Sequence, residues 1–369
     1  MTTLDDLPTP CLVLDLGILK RNLARMAAAV ARHPGLVLRP HMKTAKSLAV
    51  ADLAAPGKGP ITVSTVAEAR YFAGGGFRDQ IYAVCITPAK LDAIAALNAQ
   101  GCDVKVITDD IDVAAAIAAH PGPLRALVEV DCGEGRGGVA PDSYLLTAIA
   151  GRLGARCAGI MTHAGHSYAE RSTAGMEAVA DAEHRGAVLA ADRLRAAGLA
   201  VEVVSLGSSP TALYGRDMSG ITDIRAGVYM FGDLFQAQIG THGMDDIAVT
   251  VLTAVTGRKP DRNAVLVDAG AIALSKDRST EKAPKDYGFG LVLDLDGKPA
   301  FGEAIVARTH QEHGEVRGEA PLPFDRLPVG ALARIAPNHT CLTVAAHDRY
   351  HVVNGGRDVV AVWDRVNGW

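Results

Sequence analysis

Between about residues 36 and 226 one unit recurs eight times: a short apolar or β-branched run and a turn, followed in most cases by an Ala-rich amphipathic stretch. The runs are Leu36–Pro40, Ile61–Ser64, Gln80–Val84, Asp103–Ile107, Ala126–Val130, Cys157–Thr162, Val201–Leu206 and Ile221–Ala226. Helical spacing fills residues 45–55, 66–74, 88–100, 110–119, 142–153 and 171–197; the segment after the seventh run has room for only a turn or two. Strands separated by helices pair in parallel through crossovers, and near-continuous apolar strands belong to a sheet covered by helices. Eight strands in roughly 230 residues suit a closed (β/α)8 TIM barrel. An open doubly wound sheet is the alternative that periodicity leaves standing, and the strand count favours the barrel.

The flanks read differently. Cys11–Asp15 is a strand after Pro8-Thr9-Pro10, and a helix follows over about 17–33, with Leu19, Leu23 and Met26 at helical spacing. Beyond about residue 245, strand-like runs (Asp246–Val255, Ala264–Asp268, Gly290–Leu293, Ala304–Arg308, Ala331–Ile335, Val359–Trp363) alternate with turns such as Asp296-Gly297 and Asn354-Gly355. The expected organisation is a barrel over residues 15–245 and a mostly β C-terminal domain from 246–369, joined by residues 1–14.

Composition narrows the function. Lys+Arg 37 against Asp+Glu 41 leaves a net charge of −4, which argues against nucleic acid or an anionic membrane as partner. No apolar run approaches the ~20 residues of a membrane span. The start, Met1-Thr-Thr-Leu-Asp-Asp, lacks the basic and apolar segments of a signal peptide. Six cysteines without paired spacing read as reduced thiols, so a cytoplasmic enzyme is expected. No G-x-G-x-x-G opens a helix after a strand and no Walker loop occurs, which disfavours dinucleotide and NTP chemistry.

Barrel enzymes keep their chemistry just beyond the carboxyl ends of the strands. The first barrel strand runs into Arg39-Pro40-His41-Met42-Lys43-Thr44, where His41 and Lys43 share one face of extended backbone. Lys43 reads either as a solvated loop lysine or as a partly desolvated amine able to form a Schiff base and move protons. The sixth strand ends in Thr162-His163-Ala164-Gly165-His166-Ser167-Tyr168, dense polar functionality that could equally cap a helix. Gly207-Ser208-Ser209-Pro210-Thr211 and Arg225-Ala226-Gly227-Val228-Tyr229 follow the last two strands, where barrels often build phosphate sites from N–H groups, hydroxyls and glycine. In the C-terminal domain, His339 and Cys341 stand two apart and, on a strand, would face one side and grip a cation such as Zn2+. A core cysteine beside a hydrogen-bonded histidine is the plain alternative. Arg136 and Glu312-His313-Gly314 are weaker candidates.

Taken together, these segments resemble the metal-activated branch of the fold-type III pyridoxal-phosphate enzymes, the D-serine dehydratase and D-threonine aldolase group of alanine-racemase-like proteins. The carrying residues are Pro8-Thr9-Pro10, the R-P-H-x-K of residues 39–43, Ile61-Thr-Val-Ser-Thr65 with Glu68, Thr162-His163-Ala164-Gly165, Arg225-Ala226-Gly227-Val228-Tyr229, Glu312-His313-Gly314 and the P-x-H-x-C of residues 337–341. The resemblance implies that Lys43 forms the Schiff base with pyridoxal 5'-phosphate. It implies a cofactor pocket from His41, His163, Tyr168, Ser208, Ser209, Thr211, Arg225, Gly227, Val228 and Tyr229. His339 and Cys341 are implied to bind a divalent metal, Zn2+ before Mg2+ or Mn2+, and a homodimer is implied as well. The catalytic tyrosine of the racemases has no match.

The expected reaction is dehydration of a D-3-hydroxy amino acid (D-serine, D-threonine or D-threo-3-hydroxyaspartate) to a keto acid and ammonia, with Lys43 as general base and the metal drawing off the β-hydroxyl. The same parts could instead cleave Cα–Cβ as an aldolase, giving glycine and an aldehyde. A non-catalytic pyridoxal-phosphate-binding protein is the third reading.

Overall fold

The computed structural model describes residues 2–369, which divide into two compact units: 2–24 with Val228–Asn367, and Arg25–Gly227 with Gly368–Trp369. Among the described residues no helix is long and apolar enough to cross a membrane. The chain opens on β1 (Cys11–Asp15) and a helix, Leu16–Val30, that ends three residues before the expected His33.

In the second unit β2 (Val37–Pro40), β3 (Ile61–Val63), β4 (Asp79–Cys85), β5 (Asp103–Thr108), β6 (Arg125–Val130), β7 (Cys157–Thr162), β8 (Val203–Leu206) and β9 (Asp223–Ala226) form one parallel sheet, from β3 to β9 each strand beside its successor, with β2 on the far side of β9. The ring closes through a single parallel bridge between His41 and Thr62, with the Met42 N–H donating to the Thr62 carbonyl at 2.8 Å. An open doubly wound sheet would leave β2 inside the sheet rather than across the seam, so the near-barrel is the observed solution.

Strand parity fills the lumen. Ile81, Ile107, Leu127, Met161 and Val203 pack as an apolar layer inside it. Two or four residues further along the same faces come Cys85, Asp109 and Glu129. Arg39, 4% exposed, donates to Asp79 at 2.9 Å and pairs with Asp223 at 3.4 Å, so this member of the R-P-H-x-K motif is spent on the barrel's own structure. Gly159 on β7 has φ +138, and a Cβ there would lie 1.9 Å from the Val203 carbonyl oxygen. Gly159→Ala should therefore destabilise the protein by roughly 3 kcal/mol or more. An unchanged urea midpoint would show that β7 and β8 are not packed this tightly.

The other unit is a mostly antiparallel nine-stranded sheet. β10 (Val249–Lys259), β11 (Ala264–Val267), β12 (Leu291–Leu293), β13 (Ile305–Thr309), β14 (Gly314–Arg317) and β15 (Leu332–Ala336) close into a ring through the pairing of β10 with both β11 and β15. β1 lies antiparallel to β10 and parallel to β16 (Arg349–Val353), with β17 (Ala361–Asp364) at the edge. β14 and β16 are additions to the expected strands. β14 has one large apolar side chain, and the alternation of β16 lasts only the four residues Arg-Tyr-His-Val, so both give a short signal.

Candidate active site

Beyond β2 the chain turns through His41–Thr44. Lys43 stands exposed on this turn, not desolvated, and its N–H donates to His41 Nδ1 at 3.4 Å. Burial, then the charges of Lys43, Arg225 and His163, hold His41 well below the ordinary histidine range. His163 is pushed down to about 3 by burial and by Lys43 and Arg225, against a hydrogen bond to Gly207. Because the Gly207 carbonyl can only accept, the His163 Nδ1 at 2.9 Å carries the proton and Nε2 is left as an acceptor. The structure thus brings Lys43, His41, His163 and Arg225 together at the mouth of one barrel.

Arg225 is 3% exposed and lowered to about 10, chiefly by burial. It donates to Ser205 Oγ at 2.8 Å and to the Thr162 carbonyl, and Ser205 in turn donates to Asp223. Behind this network lies a residue that motif reading missed. Glu183, fully buried on the helix Thr173–Ala196, accepts from Thr162 Oγ1 at 2.8 Å and from the Gly207 N–H at 3.0 Å. A signal existed: Met176, Ala180, Glu183, Ala187 and Leu194 form the helix's buried stripe, and a carboxylate on such a stripe must have partners.

The loop after β8 is a cradle of small polar groups. Ser208 caps the short helix Ser209–Tyr214, its Oγ accepting from the Thr211 N–H at 3.2 Å while Thr211 Oγ1 accepts from the Ser208 N–H at 2.9 Å. Ser167 Oγ lies 2.8 Å from Ser208 Oγ, and the Tyr168 hydroxyl accepts from the Ser209 N–H at 3.2 Å. Ser208, Ser209 and Thr211 are all buried, and Ser209 Oγ has no partner among the described residues. A buried hydroxyl wanting a partner, beside hydroxyls at a helix start, fits a phosphate. Gly227 has a packing reason for its missing side chain. A Cβ there would meet Thr44 Oγ1 at 2.9 Å and the His41 carbonyl at 3.0 Å, so the glycine admits the Lys43 turn against the end of β9. Val228 and Tyr229 begin a short 3-10 turn in the other unit; the Tyr229 hydroxyl is buried, has no partner among the described residues and is pushed up by burial.

Cys85, Asp109 and Glu129, from three strand ends, place ligand-type atoms within 4.8 Å of one another. The thiol donates to Glu129 at 3.0 Å and to Asp109 at 3.4 Å; burial and these carboxylates raise it. Arg136, exposed, sits 3.5 Å from Glu129 and 3.6 Å from Glu134. No sequence spacing joins residues on three separate strands. Arg278 is engaged by Asp286 at 2.6 Å and lies over Phe289. His313 is exposed in the turn before β14.

His339 and Cys341 are not on a strand. β15 ends at Ala336, Pro337 and Asn338 turn the chain, and His339 is the N-cap of a four-residue helix, Thr340–Thr343, that carries Cys341. The same-face argument from strand parity therefore fails, since a helical turn relates the two. They are nevertheless coupled. Burial disfavours the charged ring, but hydrogen bonds with Asp277 and Cys341 and the charges of Cys341 and Asp233 outweigh it, raising His339 to about 11. An imidazole and a thiol among carboxylates is a donor set that fits a divalent cation.

A near-closed parallel barrel with a closed antiparallel β unit is the alanine-racemase-like fold, an enzyme architecture. Residues 14–234 match the model described as alanine racemase, N-terminal domain, and residues 248–353 match a putative serine dehydratase domain. The chain belongs to this family of pyridoxal-phosphate enzymes, and it is a lyase. It is 41% identical to a D-threo-3-hydroxyaspartate dehydratase of Delftia sp. (strain HT23), over 100% of this chain and 99% of the relative. A D-serine dehydratase of Dictyostelium discoideum is 30% identical over 97% and 96%, and a 3-hydroxy-D-aspartate aldolase of Paracoccus denitrificans 32% over 97% and 91%. The solved structure of the Delftia enzyme superposes with a TM-score of 0.94 at 39% identity, covering 100% of both chains. A cysteine-to-alanine variant of that dehydratase is described as a metal-free form. Relatives that are enzymes along their whole length remove the non-catalytic reading.

Proposed function

We propose that this chain is a pyridoxal-phosphate- and divalent-metal-dependent dehydratase converting a D-3-hydroxy amino acid to a 2-oxo acid and ammonia. The observation that carries it is the barrel mouth, where the Lys43 cation stands with two histidines held neutral and a buried guanidinium. Lys43 Nζ would hold the cofactor and, once displaced by the substrate amine, accept the proton leaving Cα. Ser208, Ser209 and Thr211 would take the phosphate through hydroxyl and N–H groups. His41 and His163, neutral at working pH, would line the pocket without adding charge, and Glu183 would fix Gly207 and through it His163. Bound pyridoxal phosphate supplies the electron sink that makes the Cα proton removable.

His339 and Cys341 would hold the cation, which supplies Lewis acidity to a hydroxyl oxygen; a nitrogen–sulfur pair suits Zn2+ first, with Mg2+ or Mn2+ as alternatives. The metal-free description of the dehydratase's cysteine variant supports a thiolate-held metal. The expected barrel of 15–245 narrows to the compact unit of Arg25–Gly227, which would bind the cofactor; the helix after β1 as far as Ala24 and the residues from Val228 on go instead with the β unit that would carry the metal, expected over 1–14 with 246–369. A homodimer and a cytoplasmic setting complete the proposal, the latter supported by six free cysteines.

The Paracoccus relative keeps the aldolase reading in play. Incubation with D-threonine separates the two. Elimination yields 2-oxobutanoate and ammonia, the expected result, whereas acetaldehyde and glycine would establish retro-aldol cleavage instead. Running D-serine and D-threo-3-hydroxyaspartate alongside, with ammonia as the readout, ranks the substrates.

A further inference from the structure

The carboxylate of Asp277 faces His339 with a geometry that the candidate ligand pair alone does not explain. Asp277 Oδ2 lies 3.5 Å from His339 Nδ1, and the Asp277 side chain is 10% exposed while the His339 ring is 36% exposed. Asp277 is itself held on several sides. The Ser279 N–H donates to Oδ1 at 3.1 Å and the Ser279 hydroxyl to the same oxygen at 2.6 Å. The Asp277 N–H reaches Ser275 Oγ at 3.2 Å, on a residue with φ +67, a left-handed conformation that serine adopts only at some cost. Asn338, the residue before His339 and 1% exposed, donates through Nδ2 to the Asp277 carbonyl at 3.0 Å and the Gly288 carbonyl at 2.8 Å. The backbones bearing the carboxylate and the imidazole are thus tied together.

The second nearby carboxylate is committed elsewhere. Asp233 Oδ1 accepts from the Gln236 N–H at 2.7 Å and Oδ2 from the Thr340 N–H at 3.0 Å. Of the two, Asp277 is the one set against the ring nitrogen.

We infer that Asp277 is a positioning residue for the metal site: it accepts the Nδ1–H of neutral His339 and so presents Nε2, in a fixed tautomer and ring orientation, as the ligand atom. A carboxylate in this role restricts the ring and raises the basicity of the coordinating nitrogen. The inference rests on the reading of His339 and Cys341 as cation ligands.

The test is Zn2+ binding by calorimetry to the full chain, stripped with EDTA and retaining its pyridoxal phosphate. Wild type, Asp277→Asn, Asp277→Ala and His339→Ala are compared, with thermal unfolding of each stripped protein as the check on folding. Asp277→Ala should bind Zn2+ about 10–100-fold more weakly. Asp277→Asn, which keeps the shape but loses the charge, should fall between it and wild type. His339→Ala should lose the site. Equal affinity of wild type and both Asp277 variants would overturn the proposal, as would an Asn variant indistinguishable from wild type beside a weak Ala variant, since that pattern marks a purely structural residue. Loss of binding in Asp277→Ala as complete as in His339→Ala would make Asp277 a ligand and overturn the positioning role. Absence of binding by wild type would instead sink the underlying assignment of His339 and Cys341. If the Ala variant does not fold, Ser279→Ala, which frees the carboxylate without removing it, should still weaken binding several-fold, and unchanged affinity there would count against the inference.

Discussion

Lys43→Ala should yield a folded protein that lacks the absorption band at the visible edge given by lysine-linked pyridoxal phosphate, with turnover down roughly 10³-fold or more. Folding should survive because the Lys43 side chain is exposed, and the seam between β2 and β3 is made by the backbones of His41, Met42 and Thr62. Chemistry should not survive. The charge of Lys43 bears on both His41 and His163, which places this amine with the two rings at the barrel mouth. Lys46 is the instructive control: its ammonium is engaged by the buried Glu68 at 3.0 Å, so Lys46→Ala should keep the band. A band that persists in Lys43→Ala would mean that another lysine holds the cofactor, and the assignment of the barrel mouth would fall.

EDTA treatment should abolish activity while the pyridoxal phosphate stays bound, and added Zn2+, Mn2+ or Mg2+ should restore it. The two effects should separate because the proposed ligands and most of the cofactor-pocket residues belong to different compact units. His339 and Cys341 sit at the start of a short helix in the β unit, whereas Lys43, His163 and the Ser208–Thr211 cradle belong to the barrel unit. A hydroxide is a poor leaving group, so without a Lewis acid the expected loss is of the order of 10³-fold. Replacing His339 or Cys341 by alanine should reproduce it. Full activity in a metal-free preparation would refute the role of both residues.

Much of the barrel is legible in the sequence. Eight of the eight expected barrel strands appear within a few residues of their anticipated bounds, because each is a compact apolar run with turn residues at both ends. The β unit was less legible. β14, Gly-Glu-Val-Arg, carries a single large apolar side chain, and β16, Arg-Tyr-His-Val-Val, alternates over only its first four residues, the shortest run that reveals a half-buried strand. The donor atoms of His339 and Cys341 are legible in the sequence, but their relation is not: two-residue spacing suggests strand parity, and the fold instead makes His339 a helix N-cap after the turn at Pro337 and Asn338.

Local chemistry determined the order of elements, the parallel pairing and the presence of an amine, hydroxyls and a nitrogen–sulfur pair at element ends, because each of these is a property of a few consecutive residues. Tertiary structure alone decided that Glu183 reaches across from a helix to Thr162 and Gly207, that Cys85, Asp109 and Glu129 converge from three strands, and that Asp277 meets His339 across more than sixty residues of chain. A carboxylate's partner is chosen by burial, which penalises any charge left alone, and burial depends on how distant segments pack.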